Sequence, residues 1–365
     1  MKLLLLDQFS DLGGAQQVLL ELLPAFQARG WQALVGLPGD GELVRCVRAL
    51  GVETESIDCG PYASGRKSAA DVARFAVDTP QLARQIRRLA SDADLVYVNG
   101  PRLLPAAALA GVDRRVVFHA HSYVAPGAIR RLAGAALRRM RGRVIAACAF
   151  VGEPWKGLAP VTVIYNGVSG PAAPLDRAPA ASPRIGCLGR IAPEKGQMDF
   201  VAAAAIIHRA VPGAHFVVYG APLFNQNAAY ESAVRQAAAK LPIEFAGWTG
   251  DVYDAMAGLN LLLVPSSPIE ATTRVILEAF AAGLPVVAFR SGGIPEVIDH
   301  GVNGILAGST EEMARESVRL LTAPEIRLAI SRAARETWQR RFTLTRFHDE
   351  IARTLSSISD SPRNP

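Results

Sequence analysis

Short apolar runs alternate with helical patterns along the chain, and this alternation constrains the fold more than any other feature. "KLLLLDQF" opens the series as a buried strand. "GGAQQVLLELLPAFQARG" follows with the apolar spacing of a helix closed by Gly30. "QALVGLPG", "LVYVNG", "RVVFHAHS", "RVIAACAF" and "VTVIYNG" continue the series, and "RIGCLGR", "HFVVYG", "IEFAGW", "LNLLLVP" and "PVVAFRSGG" restart it. The runs are continuously apolar, which suits parallel strands covered on both faces. The pattern predicts an α/β protein with doubly wound parallel sheets. A length of 365 residues exceeds what one hydrophobic core supports. Between the two series, "SGPAAPLDRAPAASPR" has four prolines and no periodicity, and it reads as a linker over 169–184. Domains are therefore expected over 1–168 and 185–340, with a cleft between the two sheets, a terminal helical segment over 341–365 and a frayed tail.

Half of the residues are apolar and a fifth are charged, a globular composition. The net charge of +6 fits phosphate-bearing partners or an anionic membrane surface. No aromatic-interleaved basic motif accompanies it, so no nucleic-acid partner is expected. Cys46, Cys59, Cys148 and Cys187 are scattered without metal-ligand spacing, as in a reducing compartment. The opening run of four leucines before Asp7 is shorter than the roughly seven residues that a signal-peptide core needs. Nor does any stretch approach the about 18 uninterrupted apolar residues of a membrane span. The expectation is a cytoplasmic protein, soluble or peripheral at the inner face of the membrane.

In open α/β sheets, ligands lie beyond the carboxyl ends of the strands, so candidate site residues should directly follow strands. His119 and His121 end "RVVFHAHS", and Asn99 and Gly100 end "LVYVNG". Gly13 and Gly14 follow the first strand and open a helix, whose free N–H groups favour an anion. Arg190 follows "RIGCLG", Lys195 comes shortly after, and Glu270 follows "LNLLLVP". Each has an ordinary structural reading as well: a histidine satisfied by backbone, a plain glycine turn, a Pro-Glu-Lys turn. The DxD of Asp92 and Asp94 precedes its strand, so no metal role is expected there. GxGxxG after a strand, GxxxxGK[ST] and GxSxG are all missing, which disfavours a nicotinamide oxidoreductase and excludes a P-loop hydrolase.

Glu270 and Glu278 flank a predicted helix start near Thr273, in a helix ended by Gly283 before Pro285. Eight residues of helix would separate them by at most roughly 12 Å. Free N–H groups from Thr273 through Arg274 and Val275 to Ile276 fall between them. A nucleoside diphosphate sugar matches this layout: ribose on Glu278, pyrophosphate on the helix N-terminus, sugar on Glu270. Arg190 and Lys195 would neutralise the diphosphate without a metal. Geometry alone admits other ligands.

"GRIAPEKG", "PSSPIEATTRVILEAFAAGLPVVAFRSGGIPEVIDHGVNGIL" and "VIYNGV" resemble the retaining nucleotide-sugar glycosyltransferases of family 4, which have the GT-B fold. The first half matches more loosely, through "GGAQ", the strand ending in His121, and "VIAACAFV". The resemblance implies a sugar transferred from a nucleotide-diphosphate donor to a hydroxyl of a glycan, glycolipid or lipid-linked precursor, with retention of configuration. It implies no metal and no other cofactor. Arg190 and Lys195 would bind the diphosphate, Glu270 would face the transferred sugar, and Glu278 would face the ribose. Gly13 and Gly14 would border the phosphate and acceptor side, His121 (or His119) would contact the sugar, and Trp248 would lie near the base. The terminal helix would cross back to the first domain. Thr272 and Thr273 stand where the family usually has Phe-Gly, so their backbone N–H groups and added hydroxyls bear on donor identity. A nucleotide-sugar epimerase and a non-catalytic scaffold of the same fold are the alternatives.

"AIRRLAGAALRRMRGR" places Ile129, Leu132, Ala133, Ala136, Leu137 and Met140 on one helical face, with arginines largely off it. It reads as a packed helix with a solvated basic face, or as a surface for anionic lipid.

Overall fold

The computed structural model describes residues 1–60, 69–113, 115–174, 182–222 and 227–359, with side chains of 69–73 set aside. The chain divides into two compact units, one of Met1–Tyr165 with Phe347–Pro365 and the other of Asn166–Arg346. The first unit holds strands β1 (Lys2–Leu6), β2 (Gln32–Leu37), β3 (Glu53–Ser56), β4 (Leu95–Val98), β5 (Val116–Ala120), β6 (Arg143–Ala146) and β7 (Val161–Val163). The second holds β8 (Arg184–Leu188), β9 (His215–Tyr219), β10 (Ile243–Gly247), β11 (Leu261–Val264), β12 (Val286–Phe289) and β13 (Ile305–Ala307).

Every strand pairing within these sheets is parallel. Parallel neighbours require crossovers, and the helices between the strands supply them. The orders are β3-β2-β1-β4-β5-β6-β7 and β10-β9-β8-β11-β12-β13. Relabelled from its own first strand, the second sheet repeats the 3-2-1-4-5-6 order of the first. The order reverses between β1 and β4 in one unit and between β8 and β11 in the other. Chain excursions there leave in opposite directions and open a crevice at the strands' carboxyl ends.

The continuously apolar strands are buried on both faces: Leu3 to Leu6, Leu95 to Val98 and Leu261 to Val264 are all core. Phe118 meets Trp155 edge-on at 5.0 Å in the first unit, and Phe200 meets Phe216 at 6.2 Å in the second. β3 (ETES) and β13 (ILA) were not foreseen, since neither offers a long apolar run. Each is a sheet-edge strand held by backbone pairing to a single neighbour.

Residues 169–174 of the proline-rich segment are held against the second unit. Arg335 donates to the Pro171 and Ala172 carbonyls at 2.8 and 3.3 Å, and Trp338 Nε1 donates to Val168 O at 3.1 Å. Residues 175–181 of the segment lie outside the described residues, as do residues 360–365 of the tail expected to fray. The final helix, Leu344–Ser359, buries Phe347, Ile351 and Leu355. From Phe347 onward it belongs to the first unit, where Arg29 pairs with Asp349.

The helix Ala128–Met140 departs from its expected packing. Ala133, Ala136, Leu137 and Met140 are buried, but Ile129 and Leu132 are 42% and 53% exposed. Periodicity groups side chains on a face; it does not decide how far along the helix that face is covered. No helix among the described residues is long and apolar enough to cross a membrane.

Candidate active site

In the second unit, the residues expected to bind a donor gather where β8 and β11 end. Arg190 lies beyond β8, and Pro193–Lys195 forms a single helical turn. Gly196 then starts the Gln197–Ala210 helix at φ +71°, where an added Cβ would fall 1.9 Å from Pro265 O. Only glycine allows that approach between the loops after β8 and β11. The loops are tied further by Ser267 N–H to Glu194 O at 2.9 Å. This closeness sets Lys195 Nζ 2.8 Å from Glu270 Oε2, with both side chains largely buried. Gly292, at φ +52°, lets Gly293 N–H reach Glu270 O at 3.1 Å, which fixes the Glu270 backbone from the other side.

Arg190 pairs with Glu194, a partner that the sequence reading did not assign. Gln197 braces the same turn, donating to Arg190 O at 2.9 Å.

The helix expected from Thr273 is present as Arg274–Ala282, with Thr273 at the N-cap and Gly283 ending it at φ +64°. Thr273 gives the helix start no side-chain cap, but the Ile276 N–H expected to be free donates to Thr273 O at 3.1 Å, which narrows the set to the positions ahead of it. Glu278 accepts from Arg274, one turn earlier, at 3.5 Å. Thr272 is buried, and its hydroxyl has no hydrogen-bond partner among the described residues. An orphan buried hydroxyl is costly unless something satisfies it. Val275, in the helix's first turn, completes the predicted set. Trp248 follows β10, at the sheet edge two strands from β8, and is 59% exposed.

In the first unit, three predicted residues, Asn99, His119 and His121, lie on or directly after adjacent strands. His119 is buried inside β5, its Nδ1 is bonded to Tyr97 Oη, and its ring centroid is 3.9 Å from that of His121. Burial holds its pKa well below the ordinary histidine value, so it stays neutral. His121 Nε2 bonds Asn99 Oδ1 at 2.7 Å. Asn99 in turn donates to Asp7, which sequence reasoning missed although it directly follows β1. Asp7 is fully buried and accepts from Gln16 Nε2 at 3.0 Å and Phe9 N–H at 2.9 Å. Its pKa is pushed up to about 6, burial outweighing these hydrogen bonds.

Gly13, extended at φ −141°, caps the Gly14–Gln27 helix without a side-chain bond. A Cβ at Gly14 would meet nothing within 4 Å. Asp92 and Asp94 are taken by Lys2, through its ammonium and its backbone N–H.

Comparison with known proteins gives matches over both units. A model of Glycosyltransferase Family 4 matches residues 12–169, and one of Glycosyl transferases group 1 matches residues 182–323. A GDP-mannose-dependent α-(1-6)-phosphatidylinositol monomannoside mannosyltransferase of Mycobacterium tuberculosis is 31% identical over 170 residues, 42% of each chain. A 2-deoxystreptamine glucosyltransferase of Streptomyces kanamyceticus is 35% identical over 158 residues, 42% of this chain and 40% of that one. The chain thus spans about two fifths of these relatives' lengths. The crystal structure of Anabaena HepE in complex with UDP and glucose superposes with a TM-score of 0.82 at 26% identity, covering 98% of this chain and all of that one. With one family model matched to each of its two Rossmann-like sheets, the chain belongs to the family 4 glycosyltransferases of GT-B fold.

Proposed function

We propose that this protein transfers a sugar from a nucleoside-diphosphate-sugar donor to a hydroxyl acceptor, holding the donor on its second unit. The observation that carries this reading is the Lys195–Glu270 pair at 2.8 Å, placed just ahead of the uncapped N-terminus of the Arg274–Ala282 helix. A cation, a carboxylate and free N–H groups are the partners that a diphosphate and the hydroxyls of its sugar require. Solved complexes of Anabaena HepE with UDP and with UDP-glucose support such a donor. The mannosyltransferase relative is named as GDP-mannose-dependent, so the base is left to experiment.

In this reading Lys195, Arg190 and the helix N-terminus take the diphosphate, Arg190 sharing its charge between Glu194 and the phosphates. Glu270 bonds the sugar, Glu278 the ribose, and His121 of the first unit is the histidine that contacts the sugar. Both glutamates are engaged with cations, Glu270 with Lys195 and Glu278 with Arg274, so neither is placed as a covalent nucleophile. With the retention of configuration that the family resemblance implies, this favours attack on the face from which the diphosphate departs. The anomeric C–O bond breaks with its electrons going to the phosphate, and the acceptor oxygen forms the new bond. The acceptor's proton passes to the leaving phosphate oxygen. Lys195, Arg190 and the helix dipole stabilise the charge that develops there, without a metal ion. Exposed Ile129 and Leu132, beside the arginines of the Ala128–Met140 helix, support a lipid-linked or glycolipid acceptor met at an anionic membrane.

Thermal shift with UDP-, GDP- and ADP-sugars tests donor binding and names the base. One base should raise the melting temperature of the wild type but not of Lys195→Ala. Stabilisation by none of them overturns the reading. Donor consumption with and without acceptor then separates transfer from epimerisation.

A further inference from the structure

Asp7, Asn99 and His121 are each the first residue after their strands, β1, β4 and β5, and these strands are adjacent in the order β1-β4-β5. The sheet ladders fix the first two: Asp7 N–H donates to Gly36 O at 3.1 Å and Asn99 N–H to Leu6 O at 2.8 Å. Their side chains form a line across the end of the sheet. Ionised Asp7 has only acceptors to offer, and everything that meets it is a donor: Gln16 Nε2, Phe9 N–H and Asn99 Nδ2. Asn99 must therefore turn its NH2 toward Asp7. Its Oδ1 is thereby committed to the other side, where it lies 2.7 Å from His121 Nε2. An amide oxygen can only accept, so Nε2 must carry the proton. In a neutral ring that leaves Nδ1 as the acceptor.

We infer that Asp7 is a positioning residue which, through the amide of Asn99, sets the tautomer of His121. The inference rests on the proposed role of His121 in contacting the sugar, because it fixes which nitrogen of that ring carries the proton. His119 stays neutral by burial, and Tyr97 keeps its proton for the same reason.

The test is long-range proton–nitrogen NMR of the full-length, ligand-free protein with labelled histidine at pH 7.5, His121 being assigned by the signal lost in His121→Phe. The wild type is expected to show His121 protonated at Nε2. In Asp7→Asn, the new amide can present its NH2 to Asn99, whose own amide then turns round and offers its NH2 to the ring. His121 should invert to the Nδ1-protonated form, and kcat/KM should fall about tenfold. A wild-type ring protonated at Nδ1 or on both nitrogens overturns the relay, as does an Asp7→Asn ring that stays protonated at Nε2. Should Asp7→Asn fail to fold, Asn99→Ala carries the same test. Without its fixed acceptor the ring should exchange between tautomers, and a ring still locked at Nε2–H would overturn the relay. The tautomer is read without substrate, so a protein that has the relay and lacks transfer activity would sink the proposed function alone.

Discussion

Asp7 and Glu270 lie beyond the two different strands that flank the reversal point, the first strand in one sheet and the fourth in the other, and their surroundings treat a carboxylate in opposite ways. Each follows a strand beside the point where its sheet reverses order, β1 in one unit and β11 in the other. Asp7 is wholly buried among neutral amide donors and has no cation among its hydrogen-bond partners. Glu270 faces Lys195 at 2.8 Å and keeps some access to solvent. Neutral donors satisfy the lone pairs without cancelling the charge, so burial dominates and Asp7 holds its proton up to about pH 6. An ion pair balances charge and is suited to exchanging partners with an anionic, hydroxyl-rich ligand. In the proposed roles, one carboxylate orients a neighbour and the other binds charge.

The largest effect is expected from Lys195→Ala. If Lys195 supplies leaving-group charge, turnover should fall by about 10²–10³, the usual loss on removing one oxyanion donor. A steady-state rate near that of the wild type would remove the second unit's half of the contrast.

Next in size is the pH dependence of Asp7. Its folded pKa is raised from 3.8 to about 6, so between those values the folded state binds more proton than the unfolded. Stability therefore falls as pH rises through this window, by roughly 3 kcal/mol. Asp7→Asn lacks this cost. Urea unfolding at pH 4 and pH 7 should move the variant-minus-wild-type difference in the variant's favour by about that amount. An unchanged difference would show that Asp7 is not buried as a charge.

Thr272 sharpens the other side, for its hydroxyl is an unsatisfied polar group beside the proposed donor site. Thr272→Val should stabilise the free protein by about 1 kcal/mol and raise donor KM several-fold. A stability gain with unchanged KM would assign the hydroxyl to neither sugar nor phosphate. The smallest effect is expected from Gly14→Ala. Space at Gly14 admits a methyl, and helix propensity favours it by a few tenths of a kcal/mol near a helix end. Turnover should nonetheless drop if a ligand approaches that backbone, and equal turnover would clear the first helix of a binding role.

The strand-end rule led to Arg190, Lys195, Glu270, Asn99 and His121 because a parallel strand's direction is written in its own apolar run. The same rule pointed at Asp7, but that residue was read as the end of a leucine run. Nothing local shows that a carboxylate there will be enclosed. The edge strands β3 and β13 escaped because ETES carries no apolar run and ILA, though buried, is only three residues long. Ile129 and Leu132 lie on the face that periodicity predicted, but their half of the helix is uncovered.

Most of the strands and helices, and the residues that follow them, are written in the chain itself, because periodicity and burial act over a few neighbouring positions. Which of those residues meet is set by the tertiary fold. Asp7 and Asn99 are 92 positions apart, and Asn99 and His121 are 22 apart; the strand order made them a line. It also chose amides for one carboxylate and an ammonium group for the other. Such partners come from long-range packing, and packing sets whether a charge is balanced or merely enclosed.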